Sequence, residues 1–179
     1  MRWRDGRPYT SPISSRPSFG HRLRCHDGSV NVGAVESDVL LVSCAYEKLD
    51  HPAEARDLYI SERFRLARRY AERRSSPWFI LSGEHALVRP VDWLAPYDTD
   101  LADMPTDYQS AWGQWVVAKL TRFCGDTDGL VVEIHAPDSY VSPFGASLET
   151  AGAELRLPLA EVEWDEWAAW YRQVLGSDR

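Results

Sequence analysis

Three short runs of bulky apolar residues constrain the fold of this chain more than any other feature. The runs are DVLLVSC at 38–44, WFILS at 78–82 and GLVVEIHA at 129–136. Each is short and dominated by branched or aromatic residues, a pattern typical of strands buried in a parallel sheet. Segments with helical spacing separate them, so strand and helix alternate along the chain. This alternation predicts a three-layer α/β domain with a small, mostly parallel sheet flanked by helices.

The segments between and after these runs predict the remaining elements. Residues 60–74 have helical spacing, with Ser61 as a candidate N-cap. Residues 107–123 form a second amphipathic helix, in which Gly113 is a weak point. Other predicted elements are a helix that ends at Gly152, a peripheral fourth strand at 153–159, a closing helix at 163–175, and long proline-containing loops at 45–59 and 85–107.

The first 36 residues differ from the rest of the chain. They lack sustained periodicity and are dense in Ser, Pro, Gly and Arg, which predicts an irregular basic N-terminal arm before a single domain at 37–179. The arm is either a tail, which we favour, or a partner-binding extension. The net charge of the whole chain is −7, so the chain as a whole is not an electrostatic nucleic-acid binder.

Cysteine usage and hydropathy indicate the compartment. The three cysteines have no CxxC spacing, which disfavours a structural zinc site. No cofactor is expected, and the sequence does not decide whether the site needs a metal. The odd count and the lack of a secretory signal indicate free thiols in the cytoplasm. Because no apolar run approaches the roughly 18–20 residues that span a bilayer, we expect no membrane partner.

Candidate catalytic residues follow from the predicted sheet. Ligands of open parallel sheets bind beyond the carboxyl ends of the strands. Cys44 ends the first strand, His85 follows the second, and the third carries Glu133 and His135. We therefore expect these four side chains to converge on one site.

Each of these residues also has a structural interpretation. Cys44 is either a nucleophile or a small packed side chain, and the second is the commoner outcome. His85 and His135 are either acid–base groups or ligands, or they are hydrogen-bonded loop residues. Glu133 lies in an apolar strand, two residues before His135 and on the same face, so it is either a general base or the partner of an arginine.

Further residues at this edge predict substrate binding. The Ser82–Gly83 turn supplies backbone N–H groups for an anion, although Gly83 equally suits a tight turn. Tyr97 and Asp98 follow Pro96 and also fit an ordinary turn. The complete set of candidate substrate-binding residues is Lys48, Arg56, Tyr59, Ser82, Gly83, Tyr97, Asp98 and Trp112.

The segment 56–74 is locally basic. It holds seven arginines against Asp57, Glu62 and Glu72. Such a concentration either contacts nucleic-acid phosphates or forms a solvated helix face, and the solvated face is the commoner case.

Several motifs together resemble a known group of proteins. The stretches SCAYEKLDHPAEARDLYISERFRLARRYAE, PWFILSGEHALVRPVDWLAPYD and VVEIHAPDSY resemble an uncharacterised family of actinobacteria and their phages. That family is distantly similar to the YaaA peroxide-stress proteins, whose LSG and LRPxDxxxPY motifs are echoed over 81–97, and to the DpdC protein of deazaguanine DNA modification. In the family pattern, a serine stands where this chain has Ala45, and a lysine where it has Glu84.

The resemblance implies handling of nucleobases. The first hypothesis is a hydrolytic enzyme that acts on a nucleobase, a nucleoside, a nucleotide or a modified base. Cys44 or an activated water would attack, Glu133 or His135 would act as the base, and the Ser82–Gly83 turn would stabilise negative charge. The alternatives are a non-catalytic DNA-binding or oxidative-stress protein of the YaaA type, and an interaction domain with a degenerate site.

Overall fold

The structure is a computed structural model that describes residues 37–177. These residues belong to one compact unit. The predicted N-terminal arm at 1–36 lies outside the described residues. The strands are β1 (Val39–Ser43), β2 (Ala53–Glu54), β3 (Trp78–Ser82), β4 (Ala86–Val88), β5 (Trp93–Leu94), β6 (Val131–His135) and β7 (Glu154–Arg156). The helices are α1 (Ala55–Leu58), α2 (Glu62–Glu72), α3 (Thr106–Cys124), α4 (Asp138–Val141), α5 (Gly145–Thr150) and α6 (Trp167–Ser177).

Five strands form the central sheet in the order β4-β3-β1-β6-β7. β1 pairs in parallel with β3 and β6, and β7 pairs in parallel with β6 at one edge. Only β4, at the other edge of this sheet, runs antiparallel to its neighbour. The predicted α/β class with a small, mostly parallel sheet is therefore confirmed.

Helices cover both faces of the sheet because the strands are apolar on both sides. Leu40 and Val42 of β1 pack with α2 and α6, whereas Val39 and Leu41 pack with α3, α4 and α5. The alternation of side chains along a strand sends successive residues to opposite faces. The result is the predicted three-layer arrangement, with one apolar cluster on each side of the sheet.

The predicted loops contain structure that the pattern did not reveal. The stretch 45–59 holds β2 and α1, and the stretch 85–107 holds β4 and β5. β2 and β5 pair with each other as a separate two-stranded sheet. The predicted single helix before Gly152 is instead the two short helices α4 and α5. These elements have two to six residues, too few for a periodic signal.

Two local predictions about the helices had different outcomes. Ser61 caps α2, since its Oγ accepts a hydrogen bond of 3.2 Å from the backbone N–H of Phe64. Gly113 is not a weak point. A Cβ at this position would clash with the Pro143 carbonyl, so glycine allows α3 to approach the segment after α4 closely.

Within residues 37–177, no helix is both long and apolar enough to cross a membrane.

Candidate functional site

The topology of the sheet places a crevice at the carboxyl ends of β1 and β6. From β1 the chain moves to β3 on one side through α2, and later returns to β6 on the other side of β1 through α3. The connection after β1 leads to the face covered by α2, and the connection after β6 leads to the face covered by α4. Loops that diverge in this way leave a cleft at a topological switch point, where open α/β sheets bind ligands.

An open cleft of about 310 Å³ occupies this point. It lies between the segment that follows β1 and the segment that follows β6. We call it the Cys44 cleft. Its lining includes the two cationic side chains of Lys48 and Arg63, the carboxylate of Asp100, the hydroxyl of Tyr140 and the aromatic rings of Tyr46 and Trp164. The volume is at the lower end of the range for small-molecule sites, and the lining mixes charged with aromatic groups.

Cys44 lies where the two layers of helices meet. It is half-buried and packs against the apolar clusters of both faces. Its N–H continues the ladder by donating to the carbonyl of Leu81 at 2.9 Å. Its Sγ is 3.5 Å from the hydroxyl of Tyr140, whose pKa is raised by burial and then by the interaction with Cys44. The thiol therefore faces the cleft beside a neutral phenol.

A chain of buried hydroxyl groups stands behind the cleft. Ser82 Oγ donates to the hydroxyl of Tyr97 at 2.7 Å, and that hydroxyl lies 2.8 Å from the hydroxyl of Tyr59. Ser82 Oγ also accepts the N–H of His85 at 3.0 Å, which closes the turn between β3 and β4. Burial raises the pKa of both Tyr59 and Tyr97, so both phenols stay protonated. None of Ser82, Tyr59 and Tyr97 lines the cleft.

Aromatic rings hold the two cations of the cleft. The Lys48 ammonium lies 4.4 Å from the ring centroid of Tyr97 and donates to the Tyr46 carbonyl at 3.2 Å. The Arg63 guanidinium lies 3.5 Å from the ring centroid of Trp164. Cation–π contacts orient a charge without neutralising it, so both cations remain available to an anionic ligand.

Glu133 and His135 form a separate buried network on the face covered by α2 and α6. Glu133 Oε1 accepts hydrogen bonds from the Tyr70 hydroxyl at 2.8 Å and from His135 Nε2 at 2.9 Å. Arg74 lies 3.6 Å from the same oxygen. His135 Nδ1 is 2.7 Å from the Tyr171 hydroxyl. The network ties α2, β6 and α6 together.

Protonation states in this network follow from burial and hydrogen bonding. Burial acts to raise the pKa of Glu133, but the hydrogen bonds from His135 and Tyr70 outweigh it and lower the pKa to about 2. Burial lowers the pKa of His135, although the carboxylate of Glu133 partly opposes the effect. His135 is therefore neutral, its Nε2–H donates to Glu133, and its Nδ1 accepts from Tyr171.

This arrangement separates Glu133 and His135 from the expected catalytic set. Both ring nitrogens of His135 already have protein partners, so neither is directed at a ligand in the Cys44 cleft. His135 meets Cys44 only at a small cavity of about 10 Å³ that Arg63 also lines. A space of that size holds about one water molecule. The expected convergence of four catalytic side chains is thus not what the structure shows.

The other two expectations for the second strand also differ from the structure. His85 is half-buried in the turn, with its ring edge-on to Tyr97 at 5.2 Å, and it does not line the Cys44 cleft. A Cβ at Gly83 would lie 2.8 Å from the Thr99 carbonyl, so the glycine serves a close approach of two segments. Its own carbonyl accepts a hydrogen bond from Tyr108.

Most of the expected substrate-binding residues lie outside the cleft. Trp112 is 2% exposed and donates its indole N–H to the Ser82 carbonyl at 2.8 Å, so it is a core residue. Asp98 is exposed and lies outside the lining. Arg56 pairs with Glu54 at 2.6 Å. Of the twelve residues expected at the site, the structure places Cys44 and Lys48 on the cleft.

Asp100, Arg63, Trp164 and Tyr140 are among the lining residues that the sequence pattern did not indicate. Asp100 precedes a single turn of 3-10 helix and caps it through a hydrogen bond of 3.0 Å from the N–H of Ala102. Arg63 was counted only within the basic segment, and Trp164 only within the closing helix. Tyr140 was detectable, because it follows the carboxyl end of β6 by a few residues and the rule for parallel sheets applies to it.

Most of the basic segment at 56–74 is engaged with the protein itself. Arg68 contacts both Asp57 and Glu72, and Arg63 lies on Trp164. Arg65 and Arg69 are exposed on the outer face of α2. Further arginine contacts include Arg56–Glu54, Arg73 to the Leu175 carbonyl, and Arg74–Glu133. Three of the seven arginines, Arg56, Arg68 and Arg74, thus contact a carboxylate, which removes part of the positive charge that phosphates would need.

The match to a protein family covers most of the domain. A family of unknown function, DUF6884, matches residues 39–173, a span that includes every strand of the central sheet and the whole Cys44 cleft. The chain belongs to DUF6884. No curated protein and no solved structure matches it. In this DUF6884 member, no group of three or more His, Cys, Asp or Glu side chains within residues 37–177 is arranged to hold a metal ion.

Proposed function

We propose that this protein is an enzyme that hydrolyses a bond in a nucleobase, nucleoside or nucleotide bound in the Cys44 cleft. The observation that carries the proposal is the position of Cys44, whose thiol lines a cleft at the topological switch point of the sheet. Switch points are where folds of this class bind ligands. The proposal includes the resemblance to YaaA proteins that the sequence suggests at Ser82, Gly83, Arg89, Asp92 and Tyr97, which points to the same ligand class.

The two ends of such a ligand match the lining of the cleft. Lys48 and Arg63 attract a phosphate, since both are cationic and both line the same cavity. The exposed ring of Tyr46 offers a face on which a base stacks, and the ring of Trp164, whose face the Arg63 guanidinium contacts, adds apolar surface beside it. The distribution of cations and aromatic rings therefore favours an anionic ligand that carries a flat ring.

The proposed chemistry uses Cys44 as the nucleophile. Its Sγ forms a bond to an electrophilic carbon of the ligand while the bond to the leaving group breaks. Asp100 supplies the carboxylate among the lining residues, takes the thiol proton and passes it to the leaving group. Water then cleaves the carbon–sulfur bond, which restores the thiol and releases the hydroxylated product. Tyr140, beside Sγ, donates to the negative charge that develops.

Glu133 and His135 have a positioning role in this proposal. They hold α2 and α6 against the sheet through Tyr70 and Tyr171. Arg63 lies on α2, and Trp164 lies three residues before α6. Because the network holds both helices in place, it also positions these two lining residues.

The test compares two cysteines of the same chain. Cys44→Ser and Cys124→Ser remove one half-buried thiol each, but only Cys44 lines the cleft. The variants are incubated with a panel of nucleosides, nucleotides and modified bases, and products are measured by mass spectrometry. We expect Cys44→Ser to abolish hydrolysis while ligands still raise its melting temperature. Hydrolysis that survives in Cys44→Ser, or that is lost equally in Cys124→Ser, would refute the role of Cys44.

The alternative is a non-catalytic nucleic-acid-binding or oxidative-stress protein of the YaaA type. It depends on the basic segment at 56–74, and the ion pairs of that segment weaken it. The net charge of −7 weakens it further.

A further inference from the structure

A second cavity, of about 320 Å³, adjoins the Cys44 cleft. We call it the apolar groove. Its lining is mainly aliphatic and aromatic, and Asp138 is the charged residue among the described residues that form it. The lining residues that matter below are Val141, Leu157, Leu159, Val162, Trp164 and Trp167. Leu157 stands at the opening with 39% of its surface exposed.

The two cavities share part of their lining. Pro137 and Trp164 line both the Cys44 cleft and the apolar groove. The Arg63 guanidinium lies 3.5 Å from the ring centroid of Trp164, and the ring centroids of Trp164 and Trp167 are 4.6 Å apart. Trp164 remains 43% exposed. A charged cavity and an apolar cavity thus have Pro137 and Trp164 in common.

We propose that the apolar groove binds an apolar substituent of the same ligand whose anionic, ring-bearing part occupies the Cys44 cleft. The ligand class is therefore a nucleotide that carries an alkyl, acyl or aryl group. This inference rests on the proposed function. The groove has few polar groups that could bind a charged or hydrated substituent. An apolar substituent that enters it is removed from contact with water, which is favourable. Two adjoining cavities of this size together suit a ligand larger than a mononucleotide.

The experiment uses pairs of ligands and pairs of variants. The parent ligands are the methyl phosphodiesters of the four ribonucleoside 5′-monophosphates, and each is compared with the hexyl phosphodiester of the same charge, with dissociation constants measured by titration calorimetry. Leu157→Asp places a charge at the opening of the groove. Val91→Asp is the control, because Val91 is 54% exposed and lines neither cavity.

We expect the hexyl ester of the preferred nucleotide to bind about tenfold more tightly than the parent, the gain from burying roughly two methylene groups. Leu157→Asp should remove that gain and leave the affinity for the parent nucleotide unchanged. Val91→Asp should change neither affinity.

Each other outcome has a distinct meaning. If the parent ligands bind and the hexyl esters bind no better, the groove inference is overturned and the proposed function stands. If neither series binds, both are overturned. If both variants lose the gain in affinity equally, the inference is overturned, because the hexyl group would then contact a nonspecific surface. If Leu157→Asp changes the molecular mass measured by light scattering, the inference is also overturned, because the groove would then be an interface between copies of the chain.

Discussion

Replacing Glu133 with glutamine tests whether the buried network holds its carboxylate ionised. Glu133→Gln keeps the size and shape of the side chain and removes the negative charge. In the native protein that charge accepts hydrogen bonds from Tyr70 and His135 and lies near Arg74. The side chain is 9% exposed, so solvent screens these interactions little.

The size of the effect follows from the pKa of Glu133. The folded protein lowers this pKa from 4.5 to about 2. Each unit of such a difference corresponds to about 1.4 kcal/mol, so the ionised carboxylate stabilises the fold by about 3 kcal/mol near neutral pH. Because the folded pKa lies below the unfolded one, the stabilisation is fully present above the unfolded pKa. It is lost as the pH falls through the folded pKa.

The assay is urea unfolding of the two proteins across a series of pH values. We expect Glu133→Gln to lower the free energy of unfolding by about 3 kcal/mol near pH 7, and by about half as much near pH 3. Glu62→Gln is the control. Glu62 pairs with Arg172 at the surface with 68% of its side chain exposed, so its loss should cost less than about 1 kcal/mol. A loss at Glu133 that does not change with pH, or that equals the control, would refute the reasoning.

Two further predictions concern packing and charge. Gly113→Ala should destabilise the fold by more than about 2 kcal/mol in urea unfolding, although alanine favours helices, because the new methyl group meets the Pro143 carbonyl; a stabilised variant would contradict the close approach. The protein should show no salt-dependent retention of DNA or RNA oligonucleotides in filter binding, because the net charge of the chain is −7 and Arg56, Arg68 and Arg74 already contact carboxylates; affinity that falls steeply with salt would contradict this.

Much of the sheet was predictable because its central strands are long enough to show a pattern. The runs at 38–44, 78–82 and 129–136 became β1, β3 and β6. β2 and β5 were not predictable. Each has two residues, too few for an alternating hydrophobic pattern, and they pair with each other about 40 residues apart in the sequence.

The site was predictable only in part, for a related reason. The rule for parallel sheets placed Cys44 and Lys48 correctly at the cleft. It also grouped Glu133 and His135 with them, although their side chains share the face that α2 and α6 cover. The sequence shows that two residues share a strand face, but only the packed structure shows whether a helix or a ligand lies over it.

Protection of Cys44 from alkylation tests the central claim most directly. The rates of iodoacetamide labelling at Cys44 and Cys124 are followed by peptide mass spectrometry, with and without each nucleotide of the panel. With ligand at about ten times its dissociation constant, labelling of Cys44 should slow by about tenfold, and labelling of Cys124, outside the cleft, should not change. If a nucleotide that demonstrably binds leaves the rate at Cys44 unchanged, the ligand lies elsewhere and the account is wrong.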